Sequence, residues 1–524
     1  MHTIHQDDRG GSGLSMERWL ARGTFFFLAV FVAAAADSIA VAQIAYSGAL
    51  LCWLIRWVAR GRTPRPQPLV LPLLVFLLLS AASVALSSAP TLSWGHLKSV
   101  ALLLICVLWA QNIRSFPQLK FFSTLLIVAC LVTVAYTAWQ YTVGIGVRLS
   151  KISPETALAR AGLQEGDCIS SVNGHRVRDP ATLAAAIEKY PSGARVRMTI
   201  LRGQPLQRFR VEFNRADLAG LERDVNDGKV CLARGHPTRA QGFYSHFVTY
   251  ADVLTQIVLL AWGLFAACPQ RRMRLKIVLG FVALTMACTL WLTLTRAAMA
   301  SFLAGCLLVI FIAFPWRVRL GVMGLVVVAI PLGGFLLRER RGLTWMDLKS
   351  PEAQYRFLMW KDGLRLIHEH PLFGVGMDSL KVRGKEWNIE AYKVFPLRSH
   401  FHSTPVQIAV ERGLLTLLAW LWLLVEYFRV LLRLLKVTGK GDWYARGLAL
   451  GLFSAACGFL LGSLVDYSWG DSEVVMIFWM FVGWALALDH LLSAPSDSSE
   501  ATVGQQPRGF YPQPSAGVRQ GVSL

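Results

Sequence analysis

Apolar runs long enough to cross a bilayer recur along this chain, and they restrict its fold more than any other feature. A hydrocarbon core about 30 Å thick needs roughly 17–25 apolar residues per helix. Runs of that order fall near 24–37, 39–58, 68–88, 97–112, 119–143, 250–268, 276–294, 297–315, 319–337, 413–435, 446–466 and 474–492. Backbone in lipid must satisfy its own hydrogen bonds, so such runs fold as helices. The expectation is an all-α polytopic membrane protein of about twelve transmembrane helices. Of the 524 residues, only 16% are charged, against about 25% for soluble domains. The first run is followed at once by a second, with no small-residue cleavage site, so no cleavable signal peptide is expected.

The net charge of +21 invites a nucleic-acid reading, which topology removes. With the N-terminus in the cytoplasm, alternation places Arg56, Arg60, Arg62, Arg65, Arg114, Lys120, Arg271, Arg272, Arg274, Arg317, Arg319, Arg429, Arg433 and Lys436 in inside loops. Lys98 and Arg296 are the cations near the short outside loops, and the last of those reads "DYSWGDSE". This is the positive-inside asymmetry, and the opposite orientation would violate it. The chain then divides into transmembrane helices over 1–143, a soluble insert over 144–213, a polar linker over 214–249, helices over 250–337, an outer loop over 338–412, helices over 413–492 and a disordered tail over 493–524. The outer loop is itself basic, against the topological bias, and an anionic ligand is the natural reason.

The insert has another grammar. "RVRMTILRG" and "QRFRVEF" alternate with the period of strands, "VNGH" carries a tight-turn dipeptide, and Asp179-Pro180 opens an amphipathic helix. The pieces "GIGV", "SPETALARAGLQEGDCISSVNG" and the helix and strands after them resemble a small α+β bacterial PDZ domain. That resemblance implies that the loop Gly144, Ile145, Gly146 and Val147 binds a peptide C-terminus through backbone N–H groups, by strand addition, giving a route to a periplasmic protein partner.

The chemistry concentrates in "RSHFHSTPVQIAVERGLLT". Thr404 as cap, Pro405 at the first helical position and Gln407 in the capping-box position start a helix that runs into the membrane. His400 and His402 precede it, beside free N–H groups that suit anionic oxygens and favour neutral imidazole. A second helix, beginning at Pro351, puts Arg356 and Trp360 on one face. It ends before "PLFGVG", whose proline and glycines force a turn. Arg296 stands at the mouth between two membrane helices, where an arginine is costly unless it is paired or lines a polar cavity.

These segments resemble the O-antigen ligase and polymerase family of bacterial membrane glycosyltransferases. The signature is His402, Ser403, nine residues, Gly413, Leu414, Leu415, Thr416, accompanied by "TRAAMASFLAG" and "QYRFLMWKDGLRLIHEHPLFGVGMDSL". The resemblance implies transfer of a glycan from an undecaprenyl-diphosphate donor to an acceptor hydroxyl. The reaction would run at the periplasmic face of a bacterial inner membrane, with no metal or cofactor. His402 would act as general base. Asp466 would orient a histidine or the acceptor, and Arg296, Arg356 and Lys361 would bind the diphosphate. Lipid A-core, a growing glycan and a protein all remain open as acceptors, so ligase, polymerase and protein O-oligosaccharyltransferase are alternatives. A non-enzymatic scaffold or transporter recruiting partners through the insert is a further one. An intramembrane protease is disfavoured, because "HEHPL" lacks the second histidine of a zinc-binding HExxH.

Overall fold

The computed structural model describes residues 9–60, 67–203, 207–327, 351–393 and 400–493. Among them, ten helices are long and apolar enough to cross a membrane. Val70–Ala85 is shorter, at 16 residues. The expected span over 319–337 is helical as far as residue 327, and its remainder lies outside the described residues, as do residues 494–524 of the expected tail. The chain is a multi-pass membrane protein with a small antiparallel domain inserted.

The centre of the bundle is built by Phe247–Ala267, Trp443–Val465 and Ser472–Ser493, the most buried of the spans. Lipid gives helices no hydrophobic reason to associate, so close packing of small residues must supply it. Gly263 faces Gly447 and Gly451 across the first two of these helices. A Cβ at 263 would overlap the backbone of Gly451. Around this seam Trp109, Tyr427, Phe478, Trp479 and Trp484 fill the core.

The insert forms one sheet. Its strands are β1 (Gly146–Ile152), β2 (Cys168–Val172), β3 (His175–Arg176), β4 (Arg195–Arg202), β5 (Gln207–Asn214) and β6 (Val230–Gly235), in the order β5-β4-β2-β1-β6 with β3 on β2. Asp179 caps the helix Pro180–Glu188 with a reciprocal capping box to Thr182. Val147, Leu149, Ile169, Leu183, Val196 and Met198 make a separate core. The expected linker over 214–249 is corrected: it contains a 3₁₀ turn, the helix Leu221–Asn226 and β6, and so completes the domain. Its sequence is polar because β6 lies at the sheet margin, with Cys231, Ala233 and Arg234 exposed.

Candidate functional site: one polar cavity at the helix ends

The segment around His402 is held by a broken helix. The helix begins at Thr404 with Ser403 as its cap residue, one position earlier than the sequence suggests. Gln407 does not close a box on the cap; its side-chain oxygen accepts from the Phe401 N–H at 2.7 Å. Nine residues on, Gly413 leaves helical geometry at φ 81°, ψ 170°. Beyond this break the helix enters the span. The "PLFGVG" turn packs against the break. The N–H groups of Val375 and Gly376 donate to the carbonyls of Val410 and Glu411, each at 2.9 Å, and the Leu414 N–H donates to the Pro371 carbonyl at 2.7 Å. Carbonyls that a continuous helix would satisfy internally are satisfied by this strap. Gly374 and Gly413 are required for the approach, because a Cβ on either would collide with backbone of the facing segment. Serines tie the strap to the helices before it: Ser88 Oγ donates to the Val375 carbonyl at 2.7 Å and Ser93 Oγ to the Met377 carbonyl at 2.8 Å.

His402 sits just ahead of this assembly, 7% exposed, with φ at 47°. For a residue with a Cβ the left-handed region costs about 1–2 kcal/mol, so neighbours must hold it there. Trp360 Nε1 donates to the His402 carbonyl at 3.4 Å. Tyr355 meets the imidazole edge-on at 5.7 Å, and His400 lies 4.2 Å away, centroid to centroid. His402 Nδ1 stands 3.5 Å from Asp466 Oδ1. Burial raises the Asp466 carboxyl, but His402, the Tyr467 N–H and His400 together outweigh it and hold the group at about 2. Asp466 is therefore a carboxylate at neutral pH.

A cavity of about 970 Å³ opens over these groups. Arg296, Arg356, His402 and Asp466 all line it, although they come from four separate stretches of chain. Five of the six connections expected on the outer side reach it; the turn between the first two helices, near residue 38, does not. His96 follows the Val70–Ala85 helix, and Arg239 and His246 follow the insert. Leu294–Arg296 join two spans, Tyr355–Arg412 belong to the outer loop, and Asp466–Glu473 link the last two helices. Lys361 is corrected: it is not among the lining residues, and its exposed ammonium pairs with Glu390 at 3.0 Å. It lies five positions beyond Arg356, which turns it to another face of the helix.

The insert also departs from expectation. Strand β1, which carries Gly146 and Val147, has β2 on one side and β6 on the other. The Ile145 N–H donates to the Gly235 carbonyl at 2.8 Å. The loop Gly144–Val147 therefore offers no open edge for strand addition; β6 is the marginal strand. From β6 the chain runs directly to Arg239. That side chain donates from Nε to the Thr293 carbonyl at 3.0 Å and from Nη2 to the Leu294 carbonyl, just ahead of Arg296.

Residues 281–421 match the family model described as O-antigen ligase. They include Arg296, Arg356, His402 and Gly413. This segment is similar to the O-antigen ligase family. Residues 148–202 match the PDZ domain model, which stops short of β6. Over 95 residues the chain is 33% identical to the magnetosome formation protease MamE of Magnetospirillum gryphiswaldense. The match covers 18% of this chain and 12% of that protein. Asp466 and the cavity wall from the PDZ-bearing segment lie outside the matched ligase domain, so the site is completed by residues beyond it.

Sequence reasoning missed Glu411 and Arg412, 3% and 4% exposed and both lining the cavity. A Glu-Arg pair directly before the signature glycine is the signal that could have found them. It also missed Asp252, whose Oδ2 accepts from Ser468 Oγ at 2.6 Å. An acid within an apolar run marks a functional or structural polar site in a membrane helix. The ligand atoms of His400, His402 and Asp466 lie within 4.8 Å of one another, a spacing from which a metal ion could be gripped after small side-chain movements.

Proposed function

We propose that the cavity transfers a glycan from an undecaprenyl-diphosphate donor to an acceptor hydroxyl, at the periplasmic face of a bacterial inner membrane. The observation that carries this reading is the meeting of His402, Asp466, Arg296 and Arg356 on one cavity wall system. With Nδ1 turned to the Asp466 carboxylate, the proton resides on Nδ1 and Nε2 keeps its lone pair. Nε2 takes the acceptor's hydroxyl proton as that oxygen attacks the anomeric carbon. The bond from that carbon to the phosphate oxygen breaks, and the diphosphate leaves with the electron pair. Arg296 and Arg356 stabilise the charge that develops on it. Asp466, ionised at neutral pH, stabilises the imidazolium formed in the step, as in other His–carboxylate pairs. The protonated His402–Asp466 pair closes from 3.5 Å to hydrogen-bond length as charge appears. The step as written balances without a metal ion. Lipid A-core, a glycan or a protein hydroxyl would each serve as acceptor chemistry.

The test is transfer of a labelled glycan from a polyprenyl diphosphate by the full chain in proteoliposomes. His402→Ala is expected to abolish transfer while the protein inserts and retains its melting temperature; undiminished transfer would remove His402 from the reaction. Excess chelator is expected to leave the rate unchanged.

A further inference from the structure

A second cavity, of about 460 Å³, lies between the insert and the membrane helix that leads into it, a size typical of small-molecule sites. Strand register builds its basic wall. Residues two apart on a strand share a face. Val196, Met198 and Ile200 of β4 turn into the insert's core, so Thr199 turns the other way, to the cavity. Ser171 of β2 and Arg210 of β5 lie opposite Thr199, and Arg176 of β3 lies opposite Ser171. One row across four strands therefore reads Arg176, Ser171, Thr199, Arg210, and all four line the cavity. Arg178 and Arg208 line it too. These four arginines are exposed, and among the described residues none of them is in a salt bridge.

The facing wall is aromatic. Tyr136 stacks on Phe243 at 4.2 Å between centroids and 11° between planes, and Trp139 continues the stack 5.8 Å from Tyr136. The Arg176 guanidinium stands 5.8 Å from the centre of the Trp139 ring. Beside the rings, Gln140 Oε1 is buried with no hydrogen-bond partner among the described residues. A buried acceptor left open costs about 1–3 kcal/mol, so it calls for a donor from whatever fills the cavity.

A ligand that satisfies these walls carries negative charge for the arginines, a hydroxyl donor for Gln140 and a weakly polar ring face for the aromatics. An inorganic anion supplies the first alone, and a neutral sugar supplies the other two. A sugar acid supplies all three. Position favours a glycan over a lipid headgroup. Arg239, Ser245 and His246 line the chamber that holds His402, while Gln241, Gly242 and Phe243 of the same short segment line this cavity. At about 4.8 Å per strand the backbones of Arg176 and Arg210 stand roughly 14 Å apart, so an oligosaccharide spans them where a single sugar does not.

We infer that this cleft binds acidic sugars of the glycan at positions remote from its reacting end, with their carboxylates on the arginines. Guanidinium groups grip carboxylates through paired hydrogen bonds. The inference rests on the proposed glycan chemistry and gives the insert a part in choosing the substrate.

Equilibrium binding to the full chain in detergent tests it, with tetragalacturonate, maltotetraose, dihexanoylphosphatidylglycerol and inorganic phosphate as probes. Tetragalacturonate is expected to bind saturably, and at least about tenfold tighter than each of the others. Arg176→Gln combined with Arg210→Gln is expected to weaken it roughly 10- to 100-fold at an unchanged melting temperature, the loss of charge-assisted hydrogen bonds. Phe243→Ala should weaken it without altering the charge. Arg223→Gln, an exposed arginine away from the cleft, should bind as the unaltered protein does. Equal affinity for the acidic and neutral tetrasaccharides, or equal weakening by Arg223→Gln, would overturn the inference. Tighter binding of dihexanoylphosphatidylglycerol would overturn it in favour of bilayer lipid, and tighter binding of phosphate in favour of a simple anion. His402→Ala is expected to bind tetragalacturonate normally, so a failure of the transfer chemistry is distinguishable from a failure here.

Discussion

Replacing Gly413 by alanine tests the broken helix directly. The residue sits at φ 81°, where a Cβ costs about 1–2 kcal/mol. The added carbon would also approach the Leu372 carbonyl and Phe373 nitrogen to 2.5 Å or less, where real Cβ atoms essentially never come within 3.0 Å. The obstacle is backbone, so the strap must retreat. Retreat loosens the bonds from Leu414, Val375 and Gly376, each worth about 1 kcal/mol net. The local cost is then about 3–5 kcal/mol. The strap and the break hold Arg412 and the approach to His402, and a displacement on the order of 1 Å near reacting groups costs about 10²-fold in rate. The assay is glycan transfer in proteoliposomes, with the melting temperature followed by intrinsic tryptophan fluorescence. Gly439→Ala is the control, since nothing lies within 4 Å of a Cβ there. A lowered melting temperature and roughly 100-fold slower transfer are expected for Gly413→Ala alone. Unchanged stability and rate would refute the strap as the device that shapes the site.

Asp466→Asn is expected to slow transfer by 10²-fold or more, by removing the carboxylate that orients and stabilises the imidazole. Because the Asp466 carboxyl is depressed to about 2 from about 3.9 in the unfolded chain, its stabilisation of about 2 kcal/mol is present above pH ~4 and lost as pH falls toward 2. Melting temperatures between pH 5 and pH 2 should therefore fall less in Asp466→Asn than in the unaltered protein; parallel curves would contradict the assignment. Lys361→Ala should leave transfer within about twofold, as expected of an exposed pair, and a large rise in KM would return it to the substrate. Gly235→Val places a Cβ 2.5 Å from Cys168 Sγ and should part β6 from β1. Limited proteolysis between residues 214 and 236 would report the release, and resistance equal to the unaltered chain would count against β6 as part of the sheet.

Reading from residues to site worked where the signal was local. The break at Gly413 fell on the expected boundary between outer loop and span because glycine and the apolar run announced it. Asp179 and Pro180 were legible as a helix start because capping is settled within four residues. Lys361 misled because a basic residue near Arg356 looks equivalent until helix phase and Glu390 separate them. The PDZ segment misled because strand order is a long-range property: β6 follows β1 by more than 70 residues of chain yet lies beside it.

By itself the amino-acid sequence determined that the chain crosses a membrane many times, and that Arg296 and His402 stand at helix starts. Hydropathy, charge asymmetry and capping act over one helix or one loop, so a linear reading captures them. Only the tertiary structure decided that Asp466 faces His402, that Lys361 lies apart and that β6 bounds the inserted sheet. Those depend on which helix ends adjoin and how backbone breaks turn their side chains, and such pairings are set by packing between distant segments.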